Sequence, residues 1–198
     1  MRAAGGFQTA AQFFAARCLR LLGWKIVGEL PDVPGLVVVV APHTSNWDFL
    51  VGILVAYTLG VRWRWRFRYI AKHSLFKGPV GWFLRATGGV PIDRGAKHDF
   101  VAQIVRTFER DGRFLLAVTP EGTRKRAEYW RTGFYYIALE ANVPIVPVAF
   151  DYATNECRFG EPLVPSGDLK ADIEKLRPFY EGARAKRPEL FGEIRIRE

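Results

Sequence analysis

Two hydrophobic rhythms alternate along the chain. Short apolar runs at residues 36–41 and 114–118, and a largely apolar one at 145–152, are rich in β-branched or bulky residues and predict buried strands. A shorter strand is expected at residues 89–92. Between these runs, apolar positions three and four apart predict helices over residues 49–59, 96–110 and 133–141, the second carried by Phe100, Ile104, Val105 and Phe108. Residues 74–87 form a helical region punctuated by glycine and proline. Residues 62–70 follow a strict period of two and predict a strand, with four arginines on one face and Trp63, Trp65, Phe67 and Tyr69 on the other, packed toward the core. Prolines at 144 and 147 place the 145–152 strand at an edge or a strand start. Strands alternating with helices predict an α/β class: a single layered domain with a central mixed sheet flanked by helices. The stretch after Pro165 is charged and only weakly periodic, and reads as a tail.

The 198 residues suit one domain. Residues 1–30 form a distinct segment ahead of a domain over residues 31–198. Within that first segment Phe13, Phe14, Leu21, Leu22 and Trp24, with Arg17, Arg20 and Lys25, suit an amphipathic helix lying in a membrane headgroup layer or packed on the domain. The longest apolar stretch, residues 49–61, is short of the roughly 20 needed to cross a bilayer. The arginines near the start do not fit a signal peptide. These features predict a cytoplasmic protein, soluble or held peripherally at the inner face of the membrane.

Charge narrows the partners. The net charge of +9 favours anionic ones: a phosphorylated substrate, an acidic carrier protein, an anionic membrane surface or nucleic acid. Period two separates the arginines from the aromatics of residues 62–70, whereas a base-stacking platform needs them together, so nucleic acid is not expected. Two cysteines and three histidines give neither a disulfide framework nor a zinc cluster, and no metal is expected. There is no Walker loop and no dinucleotide fingerprint, so no bound cofactor is expected.

Chemistry concentrates where the first strand ends. Pro42-His43-Thr44-Ser45-Asn46-Trp47-Asp48 sets an imidazole five positions before a carboxylate. On one helix such residues would lie roughly 140° apart. They meet only if His43 precedes the helix and Asp48 lies in its first turn, after an N-cap drawn from Thr44, Ser45 or Asn46. The residues alone leave two readings open: a helix cap beside a surface histidine, or a general base with its orienting carboxylate.

Three further blocks follow. Gly88-Gly89-Val90-Pro91-Ile92-Asp93-Arg94 ends a strand on an arginine suited to gripping an anion. Thr119-Pro120-Glu121-Gly122-Thr123-Arg124 combines a carboxylate, a glycine, a hydroxyl and an arginine after a buried strand. Val143-Pro144-Ile145-Val146-Pro147-Val148 brackets another. In this order, over residues 36–152, the four blocks resemble those of the glycerolipid acyltransferase family, typified by 1-acyl-glycerol-3-phosphate acyltransferases. Residues 68–76 also match the family's usual segment before its second block. The chain departs in having Pro42 where asparagine is frequent and Thr119 where an aromatic or aliphatic residue is usual. It also lacks the long hydrophobic N-terminal helices of many members.

The resemblance implies an acyltransferase domain over residues 31–198 and acyl transfer from a thioester, acyl-coenzyme A or acyl carrier protein, to a lyso-glycerolipid hydroxyl. Lysophosphatidate is the default acceptor. His43 is implied as general base and Asp48 as its partner, Arg94 as the phosphate ligand, Glu121 and Gly122 as positioning the glycerol, and Thr123 and Arg124 as supporting the anion. Backbone N–H groups of the first or third block would stabilise the oxyanion. Phe49, Leu50, Ile53, Leu54, Trp82 and Phe83 are candidates for an acyl-chain wall. Another lyso-lipid or an aminolipid as acceptor, or a non-enzymatic basic protein that binds lipid surfaces, are the alternative readings.

Overall fold

The computed structural model describes residues 9–92 and 97–197. Strands β1 (Lys25–Val27), β2 (Gly35–Val40), β3 (Arg66–Lys72), β4 (Gly89–Ile92), β5 (Phe114–Val118), β6 (Ile145–Asp151) and β7 (Glu156–Phe159) form one sheet in the order β1-β7-β6-β2-β5-β3-β4. From β6 to β4 the neighbours are parallel, whereas β7 runs antiparallel to β6 and pairs in parallel with β1. The sheet is therefore mixed, as the sequence predicts.

β2 shows why its apolar run does not alternate. Leu36 and Val38 pack toward one face, with Leu19 of α1 (Ala10–Leu21) and Val51 and Val55 of α2 (Asn46–Thr58). Val37 and Val39 pack toward the other, with Phe134 and Ile137 of α6 (Gly133–Glu140) and Ile104 and Phe108 of α5 (Lys97–Asp111). A strand covered on both faces has no solvent side on which to place polar residues.

Four features differ from the sequence expectations. First, the period-two stretch is not one strand. Gly60, in a left-handed conformation (φ 65°), opens a single helical turn, α3 (Val61–Arg64), before β3 begins. Trp63 is consequently 50% exposed, while Trp65 is buried with its indole N–H donating to the Val33 carbonyl at 2.8 Å. Second, β6 is internal rather than an edge. Pro147 is tolerated there because β7 has already ended beside it, and its carbonyl accepts from Gly160 N at 2.9 Å. Third, β1 and β7 are too short, at three and four residues, to leave a periodic signal.

The fourth difference concerns the tail, which is part of the core. α7 (Leu169–Glu181), capped by Asp168, buries Ile173, Leu176 and Tyr180, and the Tyr180 hydroxyl donates to the Val39 carbonyl at 2.7 Å. At its first turn the fully buried Asp172 carboxylate accepts from Tyr135 Oη (2.8 Å), Ser166 N (2.6 Å), Ser166 Oγ (2.9 Å) and Lys175 Nζ (2.8 Å). Burial alone would raise its pKa, but Lys175 and these donors outweigh it and hold the group at about 2. The helix's polar face hid a buried anchor.

Asp172→Ala should lower the unfolding free energy by about 2–4 kcal/mol in urea titrations, because it strands several buried donors. The anchor's pKa lies below its ordinary 3.8, so its contribution is present above about pH 4 and is lost as pH falls toward about 2. The stability difference between the native chain and Asp172→Asn should accordingly shrink over that interval of acid titration.

Candidate active site

The parallel strands deliver the chemical groups to one end of the sheet. β2 leads into the His43 turn and α2, its neighbour β5 leads into the Glu121 turn, and β6 leads into Tyr152. Ligand crevices in open α/β sheets lie beyond the carboxyl ends of such strands.

Ser45 is the N-cap of α2. Its side chain accepts from the helix's first turn while Asp48, three residues on, accepts from Ser45 N at 2.8 Å, a reciprocal capping box. The same Asp48 Oδ2 accepts from Thr44 N at 2.8 Å and lies 3.3 Å from His43 Nδ1. Its other oxygen accepts from Tyr152 Oη at 2.6 Å. The two readings of the sequence are thus one arrangement: the carboxylate that caps the helix is also the one that faces the histidine. Engagement of Nδ1 leaves Nε2 as the nitrogen available to the cleft. The His43 side chain is 19% exposed and that of Asp48 1%.

Glu121 is the second buried carboxyl. Its Oε2 accepts from His43 N at 2.7 Å, and its buried Oε1 has no hydrogen-bond partner among the described residues. Burial pushes its pKa up to about 8, opposed by the His43 N–H and reinforced by the nearby Asp48 charge. Burial thus favours the neutral form of Glu121. Gly122 has φ 63°, and a Cβ there would lie 2.5 Å from Arg131 Nε, so the turn requires glycine. Thr123 is half-buried, with Oγ1 accepting from Lys125 N at 3.2 Å, and Arg124 is exposed.

A cleft of about 1930 Å³ joins His43, Asp48, Glu121, Gly122, Thr123 and Arg124. That exceeds the roughly 300–1,000 Å³ of ordinary small-molecule pockets. Of the candidate wall residues, Phe49, Ile53 and Phe83 line it, joined by Gly52 of α2. Leu54 instead packs with the core, and Leu50 and Trp82 are exposed. Arg94 lies outside the described residues.

The chain belongs to the acyltransferase family. The family's sequence profile, described as Acyltransferase, matches residues 28–151, more than half of the chain. A 1-acyl-sn-glycerol-3-phosphate acyltransferase from Escherichia coli is 29% identical over 153 residues, covering 71% of this chain and 58% of that protein. One of the same name from Haemophilus influenzae is 26% identical over 204 residues, covering 90% and 80%. A third, from Streptococcus pneumoniae, is 28% identical over 140 residues, covering 66% and 50%. The chain thus spans about 58% of the length of the first of these acyltransferases. The His43–Asp48 and Glu121–Arg124 blocks both fall within the family match.

Against this background the structure narrows the choice of backbone oxyanion donors within the first and third blocks. Backbone N–H groups of the first block are already committed: His43 N to Glu121, Thr44 N and Ser45 N to Asp48, and Trp47 N to Ser45 Oγ. Gly122 N of the third block donates to Thr119 O at 3.1 Å. None of these five is free to hold an oxyanion.

Sequence reasoning also passed over Tyr152. Burial, reinforced by its bond to Asp48, raises its pKa well above the ordinary value, so it stays a protonated donor. Trp24 packs edge-on against its ring at 4.9 Å and Lys186 Nζ sits 5.2 Å from the ring centre. An aromatic at a strand end carries no signal of a partner 104 residues away. Tyr152→Phe keeps the ring and removes one hydrogen bond to a buried carboxylate. It should cost about 1.5–3 kcal/mol of stability in chemical denaturation, whereas exposed Tyr136→Phe should cost almost nothing.

Proposed function

We propose that the chain transfers a fatty acyl group from a thioester to the free hydroxyl of a lyso-glycerolipid, lysophosphatidate being the acceptor that the relatives' names favour. The observation that carries this reading is a histidine whose one nitrogen faces a buried, fully bonded carboxylate while its other end lines a large, partly apolar cleft.

In this reading His43 Nε2 takes the proton of the acceptor hydroxyl as its oxygen attacks the thioester carbonyl carbon. Asp48, held by Tyr152, Thr44 and Ser45, fixes the ring and stabilises the imidazolium. Collapse of the tetrahedral species expels the thiolate, which recovers the proton from the imidazolium and leaves as a thiol. No enzyme nucleophile is required, and the rate gain comes from holding donor and acceptor together. Glu121 and Gly122, both lining the cleft, would position the acceptor's glycerol. Arg94 would take the phosphate, with Thr123 and Arg124 supporting the charge. The walls along α2 suit an acyl chain. The thioester is that of coenzyme A or of acyl carrier protein, and both agree with the net charge of +9. No helix among the described residues is long and apolar enough to cross a membrane, and we assign the protein a peripheral position at an anionic bilayer.

The test is direct. Purified protein is incubated with labelled acyl-coenzyme A or acyl carrier protein and a panel of lyso-lipids. Product should form with lysophosphatidate, and His43→Ala should reduce kcat by a factor of about 10²–10⁴. Product that persists undiminished in that variant would overturn the mechanism. Arg94→Ala should raise KM for lysophosphatidate more than it lowers kcat, and an unchanged KM would point to another lyso-lipid or an aminolipid.

A further inference from the structure

From Phe49 to Ile92 the chain contains no aspartate or glutamate, yet it carries Arg62, Arg64, Arg66, Arg68, Lys72, Lys77 and Arg85. All 20 acidic residues fall before or after this stretch. It folds as α2, α3, β3, α4 (Gly78–Ala86) and β4, so β3 and β4 place it at one edge of the sheet. Arg64 and Arg66 of the stretch meet Asp32 and Asp111 from outside it, at 3.3 and 3.2 Å, so the unpaired part of the bias lies around α4.

α4 is the outermost helix of that edge. Gly81 and Leu84 pack inward, Leu84 joining Tyr69 and Phe76 with Phe49 and Ile53 of α2. Its outward side chains are not polar: Val80 is 59% exposed, Trp82 72% and Phe83 46%. Leu75, in the preceding turn, is also exposed. Lys77 and Arg85 flank these side chains, and neither forms an ion pair with a carboxylate among the described residues. Arg85 instead donates to the Phe76 carbonyl at 3.1 Å. Such apolar exposure is unusual for a surface facing only water. Aromatic and aliphatic side chains ringed by unpaired cations match the layer where acyl chains meet anionic headgroups.

The edge is also continuous with the cleft. Leu75, Val80 and Phe83 line both the exposed face and the cavity that holds His43. A bilayer against α4 would therefore meet the cleft at its apolar side.

We propose that the α4 edge is the face by which the protein docks on an anionic lipid bilayer, with Val80, Trp82 and Phe83 entering the interface and Lys77 and Arg85 contacting headgroup phosphates. The proposal rests on the reading that the acceptor is a membrane lipid. An acidic carrier protein would match the charge but gives no reason for the exposed apolar side chains between Lys77 and Arg85.

The full chain is tested by co-flotation with vesicles of phosphatidylcholine alone or mixed with phosphatidylglycerol. It should bind the anionic vesicles in preference, and salt should weaken binding. Lys77→Gln with Arg85→Gln should lower affinity about 25-fold, from about fivefold per cation. Trp82→Ser should lower it about tenfold or more. Trp82→Ser should keep its turnover on detergent-dispersed substrate, which separates docking from chemistry and from any loss of folding. If these variants bind anionic vesicles as the native chain does, the proposal is overturned. The same holds if they lose only turnover with acyl carrier protein. Vesicle binding is read without turnover, so absence of acyl transfer would count against the proposed reaction and not against the docking face.

Discussion

The site depends on one buried carboxylate. Removing an ionised carboxyl from water costs several kcal/mol unless its oxygens are bonded, so the surroundings of Asp48 are tightly constrained. Three donors converge on it from two parts of the chain: Thr44 N and Ser45 N at the start of α2, and Tyr152 Oη at the end of β6. The requirement to satisfy Asp48 thereby fixes the helix start, the turn after β2 and the strand end beside it. His43 Nδ1 faces a group whose position is already determined. The five-residue spacing works because the helix begins between the two residues, at a cap that Asp48 itself completes.

The same site contains a second carboxyl with the opposite treatment. Glu121 receives one N–H, from His43, and its burial favours the neutral form. Two buried anions this close would repel each other, and most of the donors go to one of the pair. The division follows from topology. β2 lies between β5 and β6, so the turn carrying His43 can reach Glu121 on one side and Tyr152 on the other. Trp24, before β2, then backs the Tyr152 ring, and Thr44 Oγ1 accepts from Arg187 N at 3.2 Å. Both ends of the chain close around a site built in its middle.

Where a local pattern determined the structure, the sequence was readable. β5 occupies residues 114–118 as expected, and the runs behind β2 and β6 were clear because both faces of those strands are covered. The helix over residues 49–59 was extended only by the capping box. Legibility failed where a tertiary contact overrides local pattern. The alternation at residues 62–70 is real, but Gly60 turns its first third into helix. The prolines around β6 suggested an edge or a strand start; Pro144 does stand just before the strand, and only the pairing shows that β7 stops before Pro147. α7 looked like a charged tail because Asp172, its most important polar residue, is buried against Tyr135 and Ser166. His43, Asp48 and Glu121 could be named in advance, whereas Tyr152 could not, because an isolated tyrosine becomes informative only once its partner is known.

The distribution of charge adds a different kind of constraint. Consecutive segments of an α/β chain generally become spatial neighbours, so a compositional bias held over α2 to β4 is deposited on one side of the molecule instead of being averaged over its surface. Packing does not require this bias. The inward side of α4 needs only Gly81 and Leu84, and a glutamate at position 82 would be solvated at little cost to the fold. What an acidic residue there would change is the field beside the cleft, which Leu75, Val80 and Phe83 also line. The cations around α4 therefore shape the field beside the cleft, while the bonds to Asp48 fix the geometry within it.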